Sequence, residues 1–312
     1  MNSMSIKGNE TQKIFDLNPS LYAYIQRYKA KDQPLITIYP PGSQEPRLEK
    51  FNALCARMKL DPPPFLMVLD NFLALGESRF QKHIKNSCFI DDTNVIILSE
   101  QGLNEFNFDD QHSEYTVSHE NGHAIAAQDD RRVFLQKAAA YTAAGIGGLG
   151  TLFTTKIAGD KLMELKDGMT KLAPADIGYV AAGLVGGLGA TNAVLNFFSR
   201  KEEFFADDQA VLAYGKEHVM KVMAENVIQS RMIKLLSTPK GGEKWHRMEQ
   251  EYDALVAAQR AEGKEISDLQ ELVGKALYVT SDLSREMTLG RLLTSAYPRF
   301  DERLDRLSRE YP

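Results

Sequence analysis

His119 and His123 stand four residues apart in the run His119-Glu120-Asn121-Gly122-His123, inside a stretch from about Glu114 to Gln128 that suits a helix. Residues four apart on a helix share a face, one turn above the other. That spacing lets both imidazoles reach one Zn²⁺ ion at roughly 2.0–2.1 Å. Glu120 then faces the metal's open side, where a carboxylate can take the proton of an attacking water. A catalytic zinc wants a third protein ligand and one open position. The segment Ser199-Arg200-Lys201-Glu202-Glu203-Phe204-Phe205-Ala206-Asp207 offers that ligand at the start of another predicted helix. Glu203 and Asp207 share a face there. One can bind metal while the other accepts the free ring N–H of a ligating histidine. Glu203 is the stronger ligand candidate, since Glu202 lies about 100° round the helix. An isolated His-Glu-x-x-His match also arises by chance in ordinary helices; the second acidic pair weighs against that reading.

Several elements must position these groups. Leu21 to Tyr28 repeats apolar residues at helical spacing, and Leu35–Tyr39 between Pro34 and Pro40 predicts a strand. Leu48–Leu60 predicts an amphipathic helix stopped by Asp61-Pro62-Pro63-Pro64. Phe65–Leu69, Cys88–Ile90 and Val95–Leu98 predict strands, the last two joined by a turn over Asp91-Asp92-Thr93-Asn94. Beyond Arg200 the chain is charged, amphipathic and mostly helical. Trp245 and its neighbours read as helix packing in a strongly charged segment, and His83, His112, His218 and His246 lack ligand spacing.

At 312 residues the chain can bury a sizeable core. A net charge of −5 leaves no basic footprint, so nucleic acid is not an expected partner. Cys55 and Cys88 are too few for a disulfide framework and suit buried free thiols in a reducing compartment. Met1 to Lys13 is polar, without the apolar core of a signal peptide. Residues 138–155 and 177–199 carry no charge. As helices they would span about 27 Å and about 34 Å, against a bilayer core of about 30 Å. Gly183 and Gly187 form a GxxxG, and Ala143/Gly147 and Ala144/Gly148 repeat the small-residue spacing. Such faces let helices approach closely in lipid, and they also suit a second copy of the chain. A buried soluble hairpin is the competing reading.

His119-Glu120-x-x-His123 followed by Arg200-x-x-Glu203-x-x-Ala206-Asp207, with apolar helices between, resembles the M48 peptidases, a family of gluzincin zinc proteases. Upstream, Leu48–Leu60, the proline run and the strands to Leu98 resemble the helix and sheet that precede the family's metal helix. Downstream, Ser295-Ala296-Tyr297-Pro298 and Arg303-Leu304 resemble its terminal segment. The resemblance implies His119, His123 and Glu203 as zinc ligands and Glu120 as general base. It implies Asp207, with Arg200, as support behind the ligands, and protein or peptide substrates. It also implies that Val95, Ile96, Ile97 and Leu98 form the sheet edge along which a substrate lies extended. From the residues alone, that strand could equally be internal. The sequence departs from the family at two places. Tyr297 stands where a histidine is usual, and its phenol can serve a developing oxyanion instead. Asn121 stands where an aliphatic residue is usual.

The expected fold is α+β, mostly helical: a zincin-like metalloprotease domain with a small β-sheet and an inserted apolar, transmembrane helical hairpin. The expected divisions are an N-terminal segment (1–44), a first catalytic part (45–137), the hairpin (138–199) and a second catalytic part (200–312). The expected activity is zinc metalloendopeptidase in an integral membrane protein, held to the bilayer through 138–155 and 177–199, its catalytic domain facing the cytosol. A catalytically inactive M48-like membrane adaptor that binds peptides without cutting them is the principal alternative. An incidental His-Glu-x-x-His on a membrane scaffold is the other.

Overall fold

The computed structural model describes residues 36–69, 87–90, 94–129, 138–139, 141–142, 145, 174–284 and 298–310, with backbone alone at 36 and over 87–90, 174–191 and 282–284. The helix expected near Leu21–Tyr28, the turn residues 91–93 and Tyr297 lie outside the described residues. So does most of 138–155. The chain divides into two compact units. The first comprises Met1–Gln128, Phe204–Val279 and Phe300–Pro312; the second comprises Asp129–Glu203 and Thr280–Arg299.

In the first unit a four-stranded sheet is built from β1 (Ile36–Tyr39), β2 (Phe65–Leu69), β3 (Ser87–Ile90) and β4 (Val95–Ser99), in the order β1-β2-β4-β3. β2 and β4 run parallel, with Met67 opposite Ile97, and the two outer pairs are antiparallel. Phe-Leu-Met-Val-Leu and Val-Ile-Ile-Leu-Ser are continuous runs without polar alternation, the pattern of strands covered on both faces. All ten residues are buried. β4 is therefore interior, hydrogen-bonded to β2 on one side and β3 on the other. The expectation that Val95, Ile96, Ile97 and Leu98 form the sheet edge is corrected: a strand paired on both sides has no backbone groups left for a peptide. Among the described residues the edges are β1 and β3. The β3–β4 pairing bears out the expected hairpin, and Asn94 takes the positive φ of 48° that such a turn calls for.

α1 (Glu49–Arg57) covers the sheet with Phe51, Leu54 and Cys55, followed in the chain by α2 (Glu100–Asn107) and α3 (Gln111–Gln128). Ser99 caps α2 by accepting from the Gly102 N–H at 2.8 Å. Asp110 caps α3 through the Ser113 N–H at 2.9 Å, which starts this helix three residues before the predicted Glu114. A 41-residue helix, α4 (Pro174–Tyr214), takes in the second apolar stretch and continues through Glu203 and Asp207. The boundary between the two units falls within it, after Glu203. Among the described residues no helix is long and apolar enough to cross a membrane.

Among the described residues four further helices follow: α5 (Lys216–Leu236), α6 (Gly241–Ala261), α7 (Asp268–Ser284) and α8 (Phe300–Glu310). α6 is charged on its open face and buries Gly241, Trp245, Met248, Tyr252 and Val256, a stripe at helical spacing. α8 packs against α5 and buries Leu304 and Leu307 in a second core with Val219, Val222, Met223 and Ala210.

Candidate metal centre

α3 is buried nearly all round, so it lacks the one-sided apolar stripe of a surface helix. Val117 and Ala124 face the sheet core, and Asn121 lies between them in the same phase. Tyr115, His119 and Gly122 turn the other way. Gly122 lies against Ala206 of α4: a Cβ placed there would come 2.7 Å from the Ala206 Cα and 2.9 Å from its carbonyl oxygen. Only glycine permits that approach. Ala206 sits between Glu203 and Asp207 on α4, so this close crossing sets both carboxylates above the histidines.

Among the described residues, His119, His123 and Glu203 form the one group of three donor side chains fit to hold a metal, their ligand atoms all within 4.8 Å of one another. The two Nε2 atoms are 3.2 Å apart. Two ligands at 2.0–2.1 Å from a tetrahedral zinc would lie about 3.3 Å apart, so the histidine pair already has the required separation. His119 and Glu203 are each 8% exposed, while Glu120 and His123 are half-buried. The donor set of two imidazoles and a carboxylate is that of a catalytic zinc with one position open.

Asp207 is wholly buried and is the best-coordinated group of the site. Its Oδ1 lies 3.1 Å from His119 Nδ1 and accepts from the Tyr115 hydroxyl at 3.0 Å. Arg303 of α8 donates to Oδ2 through Nε at 2.8 Å and to Oδ1 through Nη2. The same Nη2 donates to the Tyr115 oxygen at 2.7 Å. Burial alone would raise the carboxyl's pKa, but the charge of Arg303 and the hydrogen bonds from His119 and Arg303 outweigh it and hold Asp207 well below the usual carboxylate range. An ionised carboxylate only accepts, so the His119 nitrogen facing it carries the proton, and Nε2 keeps its lone pair for a metal.

Arg303 and Tyr115 are the site residues that spacing did not single out. Arg303 is one of three arginines in α8; its signals are the resemblance of Arg303-Leu304 to the family's terminal segment and its place one turn before the buried Leu307. Arg306, one turn on, pairs with Asp208 at 2.6 Å. Arg200 is half-buried on α4, while the guanidinium beside Asp207 is that of Arg303. The other described histidines serve elsewhere: His112 pairs with Glu225, His218 stacks on Tyr214, and His246 bonds Gln250.

Asn121 is fully buried beside Cys55, whose Sγ lies 3.7 Å from its Oδ1. Its Nδ2 has no hydrogen-bond partner. A stranded buried donor costs about 1–3 kcal/mol. Asn121→Leu should therefore raise stability, by about 1–2 kcal/mol once the loss of the weak thiol contact is counted. Denaturant unfolding of the two proteins measures it; an equal or lower midpoint for Asn121→Leu would contradict this account of the core.

Cys55 is buried and free, as expected from its apolar surroundings. Burial pushes its thiol up from 9.0 to about 12. The unfolded thiol ionises first, so this group favours the native state below about pH 9 and loses that contribution as pH rises towards 12. Iodoacetamide at pH 8 should leave Cys55 unmodified in the native protein and alkylate it in urea, as peptide mass spectrometry would show. Rapid native labelling would be the contrary result.

Comparison with curated proteins and with solved structures returned no significant match. The family model described as peptidase family M48 matches residues 92–310, a span that includes both histidines, Glu120, Glu203, Asp207 and Arg303. A match over most of the chain, on the very helices that build this centre, shows that the chain belongs to peptidase family M48.

Proposed function

We propose that this M48 peptidase is a zinc-dependent metalloendopeptidase that cleaves protein substrates at or near a membrane. The observation that carries the reading is the convergence of His119, His123 and Glu203, with Asp207 behind His119 and Glu120 one residue along the same helix. Zinc held there would supply a Lewis acid for the scissile carbonyl and lower the pKa of a water beside it. Glu120 removes that water's proton as the oxygen bonds to the carbonyl carbon. It returns the proton to the amine nitrogen as the C–N bond breaks, leaving a carboxylic acid and an amine. Tyr297, four residues ahead of Asp301 in the terminal segment, is our candidate for steadying the oxyanion with its phenol.

The substrate strand belongs on β3. Among the described residues that strand is an edge, and it packs beside α3. An extended peptide added there gains main-chain hydrogen bonds and runs alongside the metal helix. The uncharged segments 138–155 and 177–199, with their small-residue spacing, support a bilayer attachment. Two cysteines suited to a reducing compartment favour a catalytic side towards the cytosol. Casein digestion that stops with a chelator and resumes with zinc tests the activity. Carbonate extraction of membranes tests the attachment, and release of the chain into the supernatant would refute an integral hairpin.

A further inference from the structure

Asp207, on α4, receives four donors from two other helices. His119 and Tyr115 come from α3, and Arg303 supplies two N–H groups from α8. Three of them meet Oδ1 and one meets Oδ2, a total equal to the roughly four lone-pair positions of a carboxylate. The three partners also close on one another, because Arg303 Nη2 donates to the Tyr115 oxygen that donates to Asp207. Arg303 is buried, and its guanidinium stands 3.2 Å from His119 Nδ1. The residue that completes the setting of His119 thus comes from a helix 184 positions further along the chain.

We propose that Arg303, together with Tyr115, is a positioning residue that locks His119 in the Nδ1–H tautomer through Asp207, and so makes metal capture depend on docking of the C-terminal helix α8. This rests on the zinc reading above. Without Arg303, Asp207 is a buried carboxylate with too few donors, free to turn from His119. That frees the imidazole to exchange tautomers, and the form protonated on Nε2 cannot bind metal through that atom. A chain whose last helix is absent or undocked would accordingly hold zinc weakly even with all three ligands present. The second arginine pair, Arg306 with Asp208, holds α8 to α4 without touching His119.

Zinc affinity by chelator competition, and the His119 tautomer by ¹⁵N NMR of the metal-free protein at pH 8, test the proposal on the full chain. Arg303→Met should bind zinc about 10–100-fold more weakly, with His119 divided between tautomers. Arg303→Lys, which keeps the charge and loses the two-pronged donation, should fall between Arg303→Met and wild type. Tyr115→Phe removes one hydroxyl and keeps the packing, so it serves should Arg303→Met fail to fold; a partial loss of the Nδ1–H form is expected. Leu307→Ala thins the packing of α8 in its other core and leaves the helix docked through Arg303 and Arg306. It should lower stability while the folded protein keeps its zinc affinity and tautomer. Equal weakening of zinc by Leu307→Ala and Arg303→Lys would reduce Arg303 to a structural role and overturn the proposal. An unchanged tautomer in both Arg303→Lys and Tyr115→Phe would overturn it as well. A tautomer that shifts in these variants of a chain taking up no zinc would refute the metal reading and uphold the positioning role.

Discussion

Glu120→Gln should bind zinc as the wild type does and lose peptide cleavage by roughly 10²–10⁴-fold, the share that a positioned acid–base group contributes. Gln is nearly isosteric with Glu, and Glu120 is absent from the ligand group formed by His119, His123 and Glu203. The substitution removes a proton acceptor beside the metal and leaves the metal's own donors in place. Metal analysis and cleavage of a quenched peptide, on the same preparation, separate the two effects. A loss of zinc together with activity would make Glu120 part of the metal's support instead of its base. Undiminished cleavage at full zinc would remove it from the chemistry altogether.

Gly122→Ala should be the most damaging single methyl in the centre. An alanine gains about 1 kcal/mol over glycine in a helix interior, so an unobstructed site would be stabilised. Here the new Cβ meets the Cα and carbonyl oxygen of Ala206 inside 3 Å. Backbone does not move aside as a side-chain tip does, and overpacking costs about 1–3 kcal/mol. Relief means displacing α4 from α3, which draws Glu203 away from the two histidines. The expected result is zinc binding weakened by at least about tenfold, the scale seen when a ligand's support is disturbed. Ala206→Gly should restore little, because the two nearest clashing atoms are main chain. Chelator competition on the two variants decides it. Wild-type affinity in Gly122→Ala would mean that this crossing does not set the ligand geometry.

The ligands were legible because helical spacing is a local property: His119 to His123 and Glu203 to Asp207 each share a face whatever surrounds them. Their convergence was not, since it depends on Gly122 lying against Ala206, and a glycine beside Asn121 reads in sequence as a weak point in the helix. Arg303 was hidden for a related reason. In a helix as charged as Phe300–Glu310, spacing marks Arg303 as inward only by its place one turn before Leu307, and the family resemblance named Arg303 without giving it a partner. The strands were found with ends shifted by a residue at most, yet the edge was assigned to β4. The missed signal was in the composition. The apolar runs Phe65–Leu69 and Val95–Leu98, without polar alternation, belong in the interior of a sheet, which leaves β3 outside among the described strands. The apolar pair rests on composition alone, because no helix among the described residues meets the length and hydropathy of a membrane span.

Titrating zinc into the metal-free chain while following cleavage of an unstructured peptide tests the central claim most directly. Activity should rise from zero in proportion to added metal and stop rising at one zinc per chain, the capacity of the His119, His123 and Glu203 group. Glu120→Gln, loaded to the same occupancy, should stay near the baseline. Cleavage that proceeds without zinc, or a fully loaded wild-type chain that binds peptides and leaves them intact, would contradict the account.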